Sequence, residues 1–160
     1  MKTRLQTGDT APDFELFDIN SNKFQLSSLR GQKVIVFFYP SAETPGCTIE
    51  ACDFRDNEHV FKSFGYQVVG ISSDQMIKVK YWAEKRGLLY KLVVDPEKEV
   101  HRNYGITRWS SPLSMISGGR SRSTFVIDEN GKIEVALYNV QAFGHVKRLL
   151  NLLKPELASV

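Results

Sequence analysis

Six consecutive β-branched and aromatic residues, Val34-Ile35-Val36-Phe37-Phe38-Tyr39, are stopped by Pro40. A run of this kind, with no polar alternation, marks a strand covered on both faces, so the rest of the chain has to supply cover for each side. The residues that follow read as the start of a helix. Thr44 suits the N-cap, Pro45 suits the first helical position, and Gly46 lets other groups approach the backbone closely. Cys47 then falls in the first helical turn, where unpaired N–H groups and the positive end of the helix favour the thiolate, the reactive form of the side chain.

Elements to either side fit that requirement. Weak alternation around Phe14, Leu16, Phe24 and Leu26, with Asn20-Ser21-Asn22 between, predicts an N-terminal hairpin, followed by a helical turn near Ser27 to Leu29. The cysteine helix runs from about Pro45 to Phe64, with Ala51, Phe54, Phe61 and Phe64 at helical spacing as core residues. Gln67 to Ser72 reads as a second buried strand. Ser73 or Asp74 then caps a helix that ends at Arg86-Gly87. A third strand covers Leu89 to Val94 and a short helix Glu97 to Tyr104, before an irregular segment from Gly105 to Arg122. Ser123 to Asp128 and Lys132 to Asn139 form a hairpin around Asp128-Glu129-Asn130-Gly131, and Val146 to Leu153 closes the chain as an amphipathic helix interrupted by Pro155. The expectation is one α/β domain over residues 1–160, with a mixed central sheet flanked by helices.

Composition narrows the function classes. Of 160 residues, 42% are hydrophobic and 24% charged, ordinary for a globular protein, and the net charge of +3 comes from scattered lysines and arginines. Neither nucleic acid nor membrane is expected as a partner. No run approaches the roughly 18 apolar residues of a membrane span and no signal peptide is evident, so a cytoplasmic address is expected. There, structural disulfides are rare, and the close pair Cys47 and Cys52 reads as catalytic, redox-active or metal-binding. The spacing is neither C-x-x-C nor that of a four-ligand zinc site. His59, His101 and His145 lack ligand spacing and read as surface or satisfied partner groups, so no metal or cofactor is expected.

Helix geometry constrains the pair further. Five residues of ideal helix put two Cα atoms roughly 8.7 Å apart on largely opposite faces, whereas a disulfide needs them within about 7 Å. Bridging Cys47 to Cys52 therefore requires the segment from Thr44 to about Phe54 to unwind.

The segment Tyr39-Pro40-Ser41-Ala42-Glu43-Thr44-Pro45-Gly46-Cys47-Thr48-Ile49-Glu50-Ala51-Cys52 resembles the active-site segment of the peroxiredoxins, with their P-x-x-x-T-x-x-C pattern. The TPGCT-x-EAC form is similar to the Q, or bacterioferritin-comigratory, subfamily. The likeness extends from Ala11-Pro12-Asp13-Phe14 to Arg122-Ser123-Thr124-Phe125-Val126-Ile127-Asp128. It implies a thioredoxin-like fold and thiol-dependent reduction of hydrogen peroxide and organic hydroperoxides. Cys47 matches the peroxidatic position and Cys52 the resolving one, while Thr44, Pro40 and Arg122 match the remaining active-site positions. Thioredoxin or a similar dithiol is the implied reductant, and a monomer or weak homodimer the expected state.

Some questions stay open at this stage. Arg120 and Arg108 compete with Arg122, and Glu50 either orients that arginine or is an ordinary solvated glutamate. The sequence between Gly105 and Arg122 departs from the subfamily's charged, Gly-containing pattern. Its Trp109, Leu113, Met115 and Ile116 pack as core, line the substrate approach, receive the unwound segment or form an interface. Two other functions are conceivable: a disulfide reductase, which needs a C-x-x-C and a proline before the Ser123 strand that this chain lacks, and a redox-switched binding module.

Overall fold

The computed structural model describes residues 4–106 and 122–158. Along the chain come β1 (Glu15–Asp18), β2 (Lys23–Gln25), a 3-10 turn (Leu26–Leu29), β3 (Lys33–Phe38), α1 (Pro45–Ser63), β4 (Tyr66–Ser72), α2 (Met76–Arg86), β5 (Lys91–Val94), α3 (Glu99–Asn103), β6 (Ser123–Ile127), β7 (Ile133–Leu137) and α4 (His145–Ala158). The strands form one mixed seven-stranded sheet in the order β2-β1-β5-β4-β3-β6-β7. The apolar run is near its middle, parallel to β4 on one side and antiparallel to β6 on the other.

Side-chain alternation divides β3 between two cores. Ile35, Phe37 and, just past the strand, Tyr39 face a helical layer in which α1 contributes Ala51, Phe54 and Phe61, α2 Val79 and Trp82, and α4 Val146, Leu149 and Leu153. Val34, Val36 and Phe38 face the opposite way, against Phe14, Phe24, Leu26, Val100, Tyr104 and Phe125. The aromatic residues of α1 are core, as their spacing requires: the Phe54 ring stacks on Phe37 with centroids 4.4 Å apart. Because β6 runs antiparallel to β3 with Ser123 opposite Phe38, the residue entering β6 meets the residues leaving β3. This register brings position 122 to the cysteine turn.

The structure corrects three local expectations. α2 starts at Met76 with Gln75 at the N-cap, rather than at Ser73 or Asp74. The Asp74 carboxylate is engaged elsewhere, accepting from the Ala42 N–H at 2.7 Å and from Lys78 Nζ at 3.3 Å. The third strand begins at Lys91, where its register with β4 begins at Val69, and leaves Leu89 exposed. The last helix begins at His145 and continues past Pro155 to Ala158, since proline near a helix end forfeits one bond without breaking the turns before it. Gly87 terminates α2 in the left-handed conformation as expected, with φ +66°. Arg108, Trp109, Leu113, Met115, Ile116 and Arg120 lie outside the described residues. Among the described residues no helix is long and apolar enough to cross a membrane.

Gly70, in the sheet interior, has no room for a side chain: a Cβ there would lie 2.8 Å from both Leu92 Cδ2 and Phe37 Cζ. Gly70→Ala is expected to lower stability by about 1–3 kcal/mol through overpacking, measurable as a reduced midpoint in chemical denaturation.

Candidate active site

Pro40 ends β3 and is buried, and the chain then turns through Ser41 to Thr44 before entering α1. Asp74 holds this turn through the Ala42 N–H, while Lys78 Nζ reaches both Asp74 and Ser41 Oγ, the latter at 2.8 Å. Glu43 adopts φ +70°, a left-handed conformation uncommon for a residue with a side chain and tolerated only where the surroundings enforce it. Thr44 occupies the N-cap position and Pro45 follows it, as the sequence indicates. The Thr44 hydroxyl does not cap the helix, however; it donates to Ser41 O at 2.7 Å. Its proton committed in this way, the oxygen presents lone pairs to a donor arriving from the exposed side.

Thr48 N–H donates to Thr44 O at 2.9 Å and closes the first turn of α1. The amides of Gly46 and Cys47 precede it and have no carbonyl four residues back within the helix, so they are free to donate to an anion at this end. Cys47 is a free thiol, 1% exposed, beneath the exposed Thr44. Arg122 Nη2 donates to its Sγ at 3.4 Å. The arginine packs directly on the helix start, since a Cβ at Gly46 would lie 3.2 Å from Nη2. Its backbone is fixed as well, with Arg122 O accepting from Val140 N–H at 2.9 Å.

Glu50 is fully buried rather than solvated, and Oε1 accepts from Arg122 Nη1 at 2.7 Å. One guanidinium therefore bridges the carboxylate and the sulfur, both carried by α1. Burial alone would disfavour the charge on Arg122, but Glu50 and Cys47 beside it hold its pKa above the ordinary arginine value. Burial pushes the Glu50 carboxyl up to about 7, against the opposing pull of Arg122. His145 is buried too, and burial, with the charges of Arg148 and Arg122, pushes its imidazole down to about 4. Its Nε2 lies 2.8 Å from Thr124 Oγ1 and 3.8 Å from Glu50 Oε2.

Cys52 lies on the same unbroken helix, half-buried and also free. Two contacts hold the intervening turn: the Trp82 indole N–H donates to Thr48 Oγ1 at 3.0 Å, and Tyr90 OH donates to Ala51 O at 2.7 Å. The structure thus brings Cys47, Thr44 and Arg122 together at the start of α1, puts Pro40 just past the end of β3, and leaves Cys52 further along α1. His145, Thr124 and Asp74 were not recognised as neighbours of the cysteine from sequence. The one available signal was a histidine at the start of a helix, where a cation is disfavoured. His59 and His101 lie elsewhere, His101 paired with Asp95 at 2.7 Å. Among the described residues no group of three or more potential ligands is placed to hold a metal ion.

Comparison with known proteins identifies the family. Residues 7–136 match the model of the AhpC/TSA family. A protein of Mycobacterium tuberculosis named as a peroxiredoxin is 48% identical over 92% of this chain and 94% of its own length. Peroxiredoxin Bcp of Escherichia coli K12 is 39% identical over 94% and 96%. Among solved structures, that of PrxQ from Xylella fastidiosa superposes with a TM-score of 0.89, covering 97% of this chain and 99% of the other at 26% identity. The fold is that of the thioredoxin-like peroxiredoxins.

The two displaced ionisations have opposite consequences for stability. Between about pH 4.5 and 7 the native protein retains a Glu50 proton that the unfolded chain releases, so this group stabilises fully at low pH and its contribution is lost as pH rises to about 7. Between about pH 4 and 6.5 the unfolded chain binds a His145 proton that the native protein excludes, so this contribution grows with pH. Relative to wild type, Glu50→Gln is expected to make stability climb with pH between 4.5 and 6.5, and His145→Phe to make it fall. The slopes should reach about 1.4 kcal/mol per pH unit at most, measured by urea denaturation across that range.

Proposed function

The chain belongs to the AhpC/TSA family of thiol-dependent peroxidases, and from that premise we propose that it reduces hydrogen peroxide and organic hydroperoxides at Cys47, with Cys52 resolving the product as an intramolecular disulfide. The observation that carries this reading is the Arg122 guanidinium bridging Glu50 and the Cys47 sulfur. The Cys47 thiolate attacks the terminal peroxide oxygen; an S–O bond forms as the O–O bond breaks, and the leaving oxygen takes up a proton to become water or an alcohol. Negative charge moves from sulfur to that oxygen, and the groups facing it are suited to follow: Arg122, the amides at the start of α1, and the Thr44 oxygen as an acceptor for the peroxide proton. Pro40, which has no N–H, borders the site without adding a competing donor.

The resulting sulfenic acid condenses with the Cys52 thiol, forming the S–S bond and releasing water. In the reduced form both cysteines lie in regular helix, so this step requires the first turns of α1 to open, breaking the Trp82–Thr48 and Tyr90–Ala51 bonds. Thioredoxin or a similar dithiol then reduces the bridge. A cytoplasmic monomer or weak homodimer suits this cycle, because the resolving sulfur is on the same chain and the cytoplasm keeps thiols reduced.

Catalytic consumption of hydroperoxide, followed as NADPH oxidation through thioredoxin and its reductase, tests the assignment directly. Wild type should turn over and Cys47→Ser should not; a wild type without turnover overturns it. Arg122→Ala should slow single-turnover oxidation of Cys47 by about a hundredfold or more, the usual effect of losing a preorganised donor to developing charge. Cys52→Ser should react once with peroxide, recycle poorly and overoxidise sooner. With Trp109→Phe as background, peroxide should change the fluorescence of the fully buried Trp82 when Cys52 is present and leave it unchanged in Cys52→Ser. Equal responses in both proteins would refute opening driven by the bridge.

A further inference from the structure

Behind Arg122 and Glu50 stands a buried histidine to which the reaction above gives no task. His145 opens α4 and is 2% exposed. Its Nε2 is 2.8 Å from the hydroxyl of Thr124, which sits two residues along β6 from Arg122. The same nitrogen lies 3.8 Å from Glu50 Oε2, and that oxygen has no hydrogen-bond partner among the described residues. The carboxyl thus holds Arg122 with one oxygen and turns the other toward the imidazole. The Phe54 ring stands edge-on to the imidazole at 6.3 Å, an apolar wall on that flank.

We propose that His145 is a positioning residue for the peroxidase reaction: with its Nε2–H donated to Thr124 Oγ1, the positive edge of the imidazole beside the free oxygen supports the anionic form of Glu50, which in turn keeps the Arg122 guanidinium against Cys47. This rests on the peroxidase reading above. The charged and titratable groups around the cluster are Cys47, Glu50 and Asp53 from α1, Arg122 just before β6, Arg148 from α4, and the buried phenols of Tyr39 and Tyr90. Asp53 opposes ionisation of Glu50 and Arg122 favours it, while Arg122 and Arg148 keep a proton off His145. The imidazole therefore acts on the carboxylate through a neutral N–H dipole. The positive end of an N–H dipole beside the free oxygen favours the ionised carboxylate, and replacing it with hydrocarbon favours the protonated one. Glu50 titrates at about 7, so its charge state near neutrality responds to small changes in this neighbour.

The test combines two readouts on the full-length protein: pH titration of the Glu50 carboxyl band by infrared difference spectroscopy, assigned by its loss in Glu50→Gln, and single-turnover oxidation of Cys47 by hydrogen peroxide across the same pH range. His145→Phe should raise the Glu50 midpoint by about one pH unit, cutting its ionised fraction at pH 7 from about half to about a tenth and slowing oxidation about fivefold. His145→Gln, whose amide N–H can occupy the place of Nε2–H, should restore most of both. In a Glu50→Gln background, His145→Phe should slow the reaction no further. Should His145→Phe fail to fold, His145→Leu, a smaller apolar replacement that also removes the N–H dipole, should shift the midpoint in the same direction. An unmoved Glu50 midpoint, or an equal loss of rate with Glu50 already replaced, overturns the proposal. The infrared titration needs no turnover, so a wild type that fails to react with peroxide would sink the peroxidase reading without touching the coupling between the two side chains.

Discussion

A largely buried guanidinium held between the Glu50 carboxyl and the Cys47 sulfur is the interaction on which the molecule depends. An arginine cannot be taken out of water unless its charge is met, and here it is met by a carboxylate on one side and by a sulfur on the other. Both partners belong to one helix, three residues apart, so the guanidinium spans the first turn of α1. The requirement runs in both directions: without Arg122, Glu50 would lose the cation that pairs with it in this site, and Cys47 would have only the helix end.

The rest of the architecture can be read as the means of placing that arginine. It lies 75 residues from the cysteine in sequence, and the sheet closes the distance by setting β6 antiparallel beside β3, so that one strand begins where the other ends. Two cores clamp β3 from opposite faces and leave its C-terminal end little freedom. The turn between β3 and α1 contains a left-handed glutamate; Pro40 and Ala42 anchor it in the core, and Asp74 and Lys78 hold it from the adjoining strand end and helix. Asp74 and Lys78 thereby add polar support to that packing.

Much of this was legible in the chain. The unbroken apolar run located β3, Thr44-Pro45-Gly46 located the start of α1, and the spacing of Phe54 and Phe61 identified its inner face, because each signal is local and its physics acts over a few residues. Arg122 could be favoured over its neighbours only through its resemblance to a known pattern, since pairing register between distant strands leaves no mark in a single sequence. Glu50 read equally well as solvated, and only the arrival of α4 and β6 over that face of the helix decides otherwise. The role of Asp74 was misplaced because an acidic residue shortly before a helix reads as a cap, and a carboxylate has more than one amide to choose from. His145 carried no sequence signal beyond its position, as its neighbours come from α1 and β6, both far from it in the chain.

The two halves of α1 are held by different forces. From Phe54 onward the helix is pinned by aromatic packing, with Phe54 against Phe37 and Phe61 fully enclosed. The turn between the two sulfurs relies more on an indole and a phenol donating to Thr48 and Ala51. A stub of standing helix therefore remains as a template whenever that turn is released. Regrowth from a preformed end avoids the costly nucleation step, and helix growth proceeds at roughly nanoseconds per residue. Bimolecular encounters with peroxide or reductant at cellular concentrations are far slower, so restoring the shape of the site need not limit how often it is used.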